Sequence, residues 1–259
     1  MKAEKTAYFS FAFCAAGQTD IGCLREQNQD ELSIHPELGF FVLSDGMGGL
    51  DKGTVAAQYV CESMLEMARI CLSEYALNPN IDSFATAMQT SAQLMSDRLS
   101  RSGNPDMRVS YGATLVCLAL VKNKAVIVSL GDSRAYRLPR YHKTPRQITE
   151  DHTIAELLVQ NGDLTREQAR NHPSSAQLTA FAGMTPPATP DVFVTDVQAG
   201  DRILLCSDGL YGQLCDRDIA RTLRSSKNPD LVCQHLVERA NASGGNDNVS
   251  MIYLKILPV

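Results

Sequence analysis

Four aspartates in this sequence stand at the ends of short apolar runs, next to small or polar residues. Asp45 follows FFVLS and Asp208 follows RILLCS, with a glycine after each; Asp132 follows IVSLG, and Asp247 stands just before NVSMI. Any one of them is typical of an ordinary turn, since Asp-Gly is a common hairpin signal. Asp45 and Asp208, however, follow runs too apolar for a surface strand. The second interpretation is that the four carboxylates converge on one site, held rigidly at strand ends.

If these carboxylates converge, their charges determine what they can bind. Several ionised carboxylates within a few ångströms repel each other, and some take up protons. A divalent cation removes the repulsion, and oxygen ligands suit Mg²⁺ or Mn²⁺ better than zinc, which favours Cys and His. The chain has only 5 His, and its 8 Cys show no C-x-x-C spacing. We therefore predict metal ligands at Asp45 and at the carbonyl of Gly46, where the backbone has no side chain to keep an ion away.

Two such ions about 3.5–4 Å apart can activate a shared water and hold a phosphate for in-line attack. A phosphate also needs a cation to orient it. Arg25, in the polar loop LREQNQD, is a candidate because guanidinium matches phosphate oxygens in a fork. The alternative for Arg25 is an ordinary solvated surface charge. Asp30 ends the same loop and could reach the second metal through water.

Composition places the chain among soluble globular proteins. It has 259 residues, with 44% hydrophobic and 20% charged, which suits one large domain. A net charge of -5 argues against nucleic-acid binding. Cysteines inside apolar runs indicate buried thiols in a reducing compartment, so we predict a cytoplasmic protein. The N-terminal run AYFSFAFCAAG is interpreted as a first strand rather than a secretion signal, and no run reaches the roughly 18 apolar residues of a membrane span.

Hydrophobic spacing predicts two long helices, over 53–75 and 81–99, with Asp82 as a candidate cap and RSGNPDM closing the second. Shorter helices are predicted near HTIAELLVQNG, at DLTRE, at 216–224 and at 229–241. Strands are predicted near AYFSFAFCAAG, ELSIH, GFFVLSD, YGATLVCLALV, KAVIVSL, SRAYRLP, DVFVTDV, DRILLCSDG and NVSMIYLKI. Because the helices come in pairs and do not alternate with strands, the sheets should be mainly antiparallel, with helices stacked outside them.

The segment from Asp151 to Pro190 is polar and interrupted, with a Pro-rich end, TPPATP. It is interpreted either as a mobile flap over a site or as a plain surface excursion. The residues alone leave both readings open.

Eight blocks occur in order along the chain: TDIGCLREQNQD, FFVLSDGMGG, YGATL, LGDSRAY, DHT, LTAFAG, ILLCSDGLYG and GGNDNVS. Together they resemble the metal-dependent protein phosphatase family, also called protein phosphatase 2C, in its bacterial form, from about Tyr8 to Ile256. The resemblance implies an α+β fold, a four-layer αββα sandwich of two antiparallel sheets between helix pairs. It also implies one catalytic domain over 1–259, with a flap subdomain at about 151–190, that hydrolyses phosphoserine and phosphothreonine in proteins.

The resemblance implies a role for each candidate residue. Asp45 would bridge two Mn²⁺ or Mg²⁺ ions, and the Gly46 carbonyl would bind one of them. Asp208 and Asp247 would complete the first metal, Asp30 would serve the second, and Arg25 would hold the phosphate. A hydroxide on the metals, not a side chain, would be the nucleophile. Asp132 matches the acid tied to a third, weaker metal, and Asp151-His152-Thr153 opens the flap.

Three positions depart from the family pattern. Met47 replaces a histidine that is proposed as the general acid in animal-type members, which leaves the proton donor unassigned. Gln29 stands where some members carry Glu, so the second metal would be held more through water. Ala180 stands where an Arg is frequent, and we expect this to alter the substrate surface.

Other functions fit the sequence less well. The glycines after Asp45 match neither the dinucleotide nor the phosphate-loop pattern, and Thr54 stands where the latter needs Lys. Cys215 and Arg221 match a bare C-x5-R spacing without the positive surroundings that a thiolate needs. A catalytically silent phosphoprotein binder and a phosphatase for an anti-sigma-factor antagonist remain alternatives. The expected partners are phosphoprotein substrates, namely a Ser/Thr kinase and its targets. We expect no binding to nucleic acid or to a membrane, and we expect the protein to be a monomer.

Overall fold

The fold was analysed in a computed structural model, which describes residues 9, 11–48, 52–102 and 111–258. Its strands are β1 (Phe13–Asp20), β2 (Asp30–His35), β3 (Phe40–Met47), β4 (Gly112–Ala113), β5 (Leu115–Val121), β6 (Lys124–Leu130), β7 (Arg134–Leu138), β8 (Arg146–Gln147), β9 (Asp191–Asp196), β10 (Arg202–Cys206) and β11 (Val249–Ile256). Its helices are α1 (Lys52–Leu77), α2 (Ile81–Ser102), α3 (Ile154–Gln160), α4 (Arg166–Arg170), α5 (Asp208–Tyr211), α6 (Asp216–Thr222) and α7 (Pro229–Ala242).

The strands form two sheets, and all the pairings between these strands are antiparallel. One sheet has the order β1-β11-β10-β7-β8. The other has the order β2-β3-β5-β6-β9, with the short β4 paired to β3. The prediction of mainly antiparallel sheets is confirmed.

Alternate residues along the strands enter different cores, because successive side chains of a strand point to opposite faces. In β3, Phe40 and Val42 pack under the long helices α1 and α2, whereas Phe41 and Leu43 pack between the two sheets. Strand β11 behaves in the same way, with Met251 and Tyr253 under α5–α7 and its alternate residues between the sheets. Both faces of these strands are buried, which explains why the sequence shows solid apolar runs there.

These cores give four layers: the α1–α2 pair, one sheet, the second sheet, and the helices α5–α7. The α+β sandwich expected from the sequence is therefore confirmed. No helix in the described ranges combines the length and the apolar character that crossing a membrane would require.

Several boundaries differ from the predicted ones. Helix α2 is capped by Asn80, whose side chain accepts a hydrogen bond from the Ser83 N–H, so the prediction of Asp82 as the cap was wrong. Residues 103–107 of the predicted break after α2, and residues 7, 8 and 10 of the predicted first strand, lie outside the described part of the chain. Helix α5 and strand β8 were not predicted, because each is too short to show a period.

Candidate active site

Strand pairing brings the first two candidate acids together. Asp30 is the first residue of β2, and Asp45 lies near the end of β3. In the register of this pair the two residues are direct neighbours across the strands. The backbone of Asp45 is held by Thr114, whose hydroxyl accepts from the Asp45 N–H at 2.9 Å and whose N–H donates to the Asp45 carbonyl at 2.8 Å. The Thr114 hydroxyl in turn shares a 2.6 Å hydrogen bond with Ser133.

The other sheet brings the second pair of acids to the same region. Asp208 follows β10 and opens α5, while Asp247 comes just before β11. Because β10 and β11 are antiparallel neighbours, the end of one strand lies beside the start of the other. Asp247 and Asp208 therefore meet at one edge of the sheet.

The glycines that follow Asp45 and Asp208 allow neighbouring backbone to come unusually close. A Cβ at Gly46 would lie 2.1 Å from the carbonyl oxygen of Gly53, at the start of α1. A Cβ at Gly209 would lie 2.0 Å from the carbonyl oxygen of Asn248. Real Cβ atoms do not approach that closely, so both positions require glycine for packing. The Asp-Gly step therefore recurs because it lets a second backbone segment lie against the one that carries the acid.

Most of the predicted site residues line one pocket of about 590 Å³. They are Arg25, Asp45, Gly46, Asp132, Asp208 and Asp247. Asp30 does not line this pocket. It is buried, and its Oδ2 accepts a 2.8 Å hydrogen bond from the Ser207 hydroxyl.

Burial and mutual repulsion raise the pKa values of these carboxyl groups. Burial raises the pKa of Asp30 to about 7, with the charges of Asp208 and Asp247 acting in the same direction. Burial, followed by the charge of Asp247, raises the pKa of Asp208 to about 6. The pKa of Asp45 lies well above its usual range for the same two reasons, burial first and then the neighbouring aspartates. This is the pattern expected of buried acids that lie close together, where burial and mutual repulsion outweigh the nearby positive charge.

The donor set fits a hard divalent cation in its chemistry. All the side chains offer oxygen, and the buried Oδ1 atoms of Asp30 and Asp208 have no hydrogen-bond partner. Within the described ranges, no three His, Cys, Asp or Glu side chains are already grouped closely enough to hold a metal ion. Asp247 is turned towards Arg25, and the Oδ2 of Asp30 towards Ser207. A metal ion at the site would compete with Arg25 for Asp247, whereas the Oδ1 of Asp30 has no partner to give up.

Arg25 lies at the rim of the pocket, on the loop between β1 and β2. Its Nη2 donates to the Oδ2 of Asp247 at 2.6 Å, and 54% of its side chain is exposed. This contact raises the pKa of Arg25, so the guanidinium stays charged. Arg25 is thus a fixed but accessible cation above the carboxylates, which suits an incoming phosphate.

Asp132 is tied to the flap through an arginine. It lies in the turn between β6 and β7, and its carbonyl accepts a 3.0 Å hydrogen bond from the Tyr211 hydroxyl. The ring of Tyr211 lies 3.5 Å below the guanidinium of Arg134. Arg134 also donates to both carboxylate oxygens of Asp151, with Nε distances of 2.9 and 3.0 Å. The turn that holds Asp132 and the first residue of the flap therefore share one support.

The segment 151–190 reaches the pocket. His152 accepts from the Gly131 N–H through Nδ1 at 2.9 Å, so Nε2 carries the proton and donates to Asp191 at 3.0 Å. Thr153 caps α3, and its backbone bridges to Leu178. Leu178 and Ala176 then line the pocket opposite the acids. The segment 151–190 therefore lies against the pocket, and its function as a flap stays a prediction.

Two of the three departures from the family pattern lie at the pocket. Met47 and Gln29 both line it, and the Gln29 side chain donates to the Gly48 carbonyl at 3.3 Å. Ala180, by contrast, is buried in the core beneath α1 and α2. The expectation that Ala180, in place of a frequent Arg, alters the substrate surface stays a prediction.

Asn248 was missed in the sequence, although it stands beside Asp247. Its side-chain amide donates at 2.9 Å to the carbonyls of both Ile21 and Gln27, and its Oδ1 accepts from the Gln29 N–H at 2.9 Å. It thus joins the loop of Arg25 to the strand edge of Asp247. A buried asparagine gives no periodic signal, so only the fold shows this role.

Comparison with known proteins identifies the family of the chain. The family model for Protein phosphatase 2C matches residues 25–244. The chain belongs to the protein phosphatase 2C family. The serine/threonine phosphatase stp of Listeria welshimeri is 28% identical over 242 residues, which cover 92% of this chain and 94% of that protein.

Solved structures of the family superpose over nearly the whole chain. Serine/threonine phosphatase Stp1 from Staphylococcus aureus has a TM-score of 0.82 at 26% identity, with 100% of both chains covered. The catalytic domain of serine threonine protein phosphatase PstP, solved in complex with 2 manganese ions, has a TM-score of 0.78 at 27% identity and covers 96% of this chain and 100% of that one. As a bacterial-type member of the protein phosphatase 2C family, the chain is a phosphoprotein phosphatase, a hydrolase of phosphoric monoesters.

Proposed function

We propose that this protein removes phosphate from phosphoserine and phosphothreonine in proteins, using two Mn²⁺ or Mg²⁺ ions held by its cluster of aspartates. The observation that carries the proposal is the convergence of Asp45, Asp132, Asp208 and Asp247 with Arg25 on one pocket. The elevated pKa values of the buried acids support it, because a divalent cation would relieve the repulsion. The manganese-bound relative supports the choice of metal.

Each residue has a place in this proposal. Asp45 would contact both metals and the Gly46 carbonyl one of them, Asp208 and Asp247 would complete one, and Asp30 would support the other from below the pocket. Asp132, at the far side, would serve a third and weaker ion. When bound, the two main cations would supply the Lewis acidity that activates water for attack in line with the leaving oxygen.

Arg25 would bind the phosphate of the substrate. Its ion pair with Asp247 holds the guanidinium over the acids, at the mouth of the pocket. A phosphate bound there would share the guanidinium with that carboxylate or displace it, next to the cations that the aspartates would hold. Ala176 and Leu178 would contact the substrate chain from the flap side.

We further infer that the chain acts as a single catalytic domain in the cytoplasm and opposes a Ser/Thr kinase. The names of its relatives, serine/threonine phosphatases of bacteria, support a kinase as the opposing enzyme. The complete set of carboxylates argues against a silent phosphoprotein-binding relative, which would have no need to keep them.

The test compares Asp208→Asn with wild type on a phosphothreonine peptide, with and without Mn²⁺. We expect metal-dependent phosphate release from wild type and a loss of roughly 100-fold or more in the variant, because a charged ligand has been removed. Addition of Mn²⁺ should also raise the thermal unfolding midpoint of wild type more than that of the variant. The matched control is Asp82→Asn, an exposed acid on α2 away from the pocket.

Two outcomes would contradict the proposal in different ways. Equal activity of Asp208→Asn and wild type would overturn the site assignment. Stabilisation of wild type by Mn²⁺ without any phosphate release would instead identify a phosphoprotein binder that lacks catalysis.

A further inference from the structure

A second charged surface lies outside the active site, between α6 and the turn that joins β7 to β8. It is a groove of about 670 Å³. Five fixed cations line it, and we call it the arginine groove: Arg140, Lys143, Arg217, Arg221 and Arg224. Among the residues that the structure describes, no Asp or Glu lines the groove. This concentration of positive charge stands out on a chain whose net charge is -5.

Three of the arginines form a stripe along one helix face. Arg217, Arg221 and Arg224 follow each other at spacings of four and three, which places them on the same side of α6 and its C-terminal end. Like charges four apart repel each other and destabilise a helix. In the described part of the chain, none of the five groove cations forms a salt bridge. The fold therefore tolerates a repulsive arrangement that no ion pair within the described residues offsets.

The walls of the groove are fixed by Arg224. Its guanidinium donates to the carbonyls of Pro139 and His142 in the β7–β8 turn and to the Ala220 carbonyl in α6. These contacts hold the turn against the helix. Arg140, Lys143, Arg217 and Arg221 are exposed and project from this support. The groove is therefore a formed surface and not a set of independent mobile side chains.

Helix α6 also connects the groove to the active site. Asp216, the residue before Arg217, lines a cavity of about 220 Å³ whose other lining residues include Asp132 and Asp208. A substrate chain that leaves the active-site pocket through this cavity would next meet the N-terminal end of α6. The arginine stripe begins there.

We propose that the arginine groove docks an acidic segment of the phosphoprotein substrate, apart from the phosphorylated residue itself. The proposal rests on the proposed function for the identity of the substrate. Guanidinium groups in a row match the carboxylates of Asp and Glu side chains on an extended peptide. The groove would thus select phosphoproteins that carry an acidic stretch near the phosphosite.

An acidic peptide fits this surface better than a membrane or a nucleic acid. The surface is concave, and Tyr141, which is 83% exposed, is the single aromatic residue that lines it. The net negative charge of the whole chain would repel an anionic bilayer or a long polynucleotide approaching outside the groove. A short acidic segment would avoid most of that repulsion.

The first experiment measures binding without phosphoryl chemistry. A fluorescent hexaglutamate peptide is titrated with wild type and with Arg217→Gln/Arg221→Gln, followed by polarisation. We expect the double variant to bind roughly 3- to 10-fold more weakly, and wild-type binding to weaken as salt rises above about 0.15 M. The control is Arg69→Gln/Arg98→Gln, which removes two exposed arginines of α1 and α2 that form no salt bridge with the described residues. Equal binding by both double variants would overturn the proposal.

The second experiment compares substrates. Phosphothreonine peptides with and without a glutamate-rich flank are assayed beside a small aryl phosphate. The groove variant, Arg217→Gln/Arg221→Gln, should raise KM for the acidic peptide by about the same factor as it weakens hexaglutamate binding. Its kcat for this peptide, and its kcat and KM for the neutral peptide and the aryl phosphate, should equal those of wild type. If no substrate is hydrolysed, the proposed function fails, while the hexaglutamate result still decides the groove.

Other outcomes would also reject the acidic-peptide assignment. Binding of wild type to phosphatidylserine vesicles or to single-stranded DNA, lost in Arg217→Gln/Arg221→Gln while hexaglutamate binds neither protein, would assign the groove to a membrane or a nucleic acid. Should the double variant unfold early, the salt dependence of wild-type binding becomes the deciding measurement. Salt-independent binding of hexaglutamate would contradict docking by charge.

Discussion

The glycine after each of Asp45 and Asp208 determines how closely the backbone segments of the site can pack. At Gly209 the neighbour is the Asn248 carbonyl, and at Gly46 it is the Gly53 carbonyl. A larger residue at either position would push away the segment that carries, or supports, another acid. The spacing of the carboxylates therefore depends on the absence of a Cβ atom at Gly46 and Gly209.

We predict that Gly209→Ala destabilises the protein through a steric clash of the added methyl group. Its Cβ would lie 2.0 Å from a backbone oxygen, and we expect a loss of roughly 1–3 kcal/mol or more in the free energy of unfolding. Mn²⁺ should also stabilise this variant less than wild type. Urea unfolding with and without metal measures both effects.

The comparison variant is Gly162→Ala. Gly162 has a φ of 82° but nothing within 4 Å of its would-be Cβ, so it should lose only about 1 kcal/mol from strain and keep its response to metal. If the two variants lost equal stability and bound Mn²⁺ equally, close packing at Gly209 would not support the site.

Among the elements, the flap is the one whose attachment the structure explains in detail. Residues 154 and 177 are joined by a hydrogen bond from the Ile154 N–H to the Gln177 carbonyl, and Thr153 bridges to Leu178. Further along, the backbone of Ala182 pairs with Ala113 in both directions. The outer part of the flap can therefore be removed between two residues that already meet, whereas the whole of 151–190 cannot.

We predict that replacing residues 155–176 by an Asn-Gly turn changes substrate selection more than chemistry. The two ends would form a short hairpin, for which Asn-Gly is a favoured turn. The kcat/KM for a phosphoprotein should fall by a larger factor than that for a small aryl phosphate, since only the former contacts the flap. Steady-state kinetics on both substrates is the measurement, and a greater loss on the aryl phosphate would argue against a substrate-binding role.

The elements were largely predictable because their signals are local. Runs such as FFVLS and RILLCS are apolar on every residue since both faces of β3 and β10 are buried, and the acids follow directly in the chain. The roles of Asn248, Ser207 and Arg134 were not predictable, because their partners lie far away in sequence. The burial of Ala180 was not predictable for the same reason, because it depends on helices from another part of the chain.

For the whole molecule, the cluster of acids makes stability depend on pH. Asp30 and Asp208 have folded-state pKa values of about 7 and about 6, above the roughly 3.9 expected when unfolded. Between about pH 4 and pH 7 the folded state therefore holds protons that the unfolded state has released. Folding stability falls as pH rises through this window.

We predict that the metal-free protein, kept in chelator, is more stable near pH 5 than near pH 7.5, by a few kcal/mol. Saturating Mn²⁺ should reverse this trend, because the ligands must lose their protons to bind metal. Denaturant midpoints at the two pH values measure the difference, and Asp208→Asn should reduce it. A metal-free midpoint that rises steadily from pH 5 to pH 7.5 would show that the pKa values of these acids are not raised in the folded state.

The position of β11 in its sheet has a consequence for biosynthesis. This last strand is inserted between β1 and β10, and Asp247 precedes it, whereas Arg25, Asp30 and Asp45 belong to the opening segment. On a ribosome that adds about 5–20 residues per second, these early groups wait on the order of tens of seconds for their counterparts. A nascent chain would thus carry Arg25, Asp30 and Asp45 without Asp247. Dephosphorylation would begin only after β11 has left the ribosome and paired with β1 and β10.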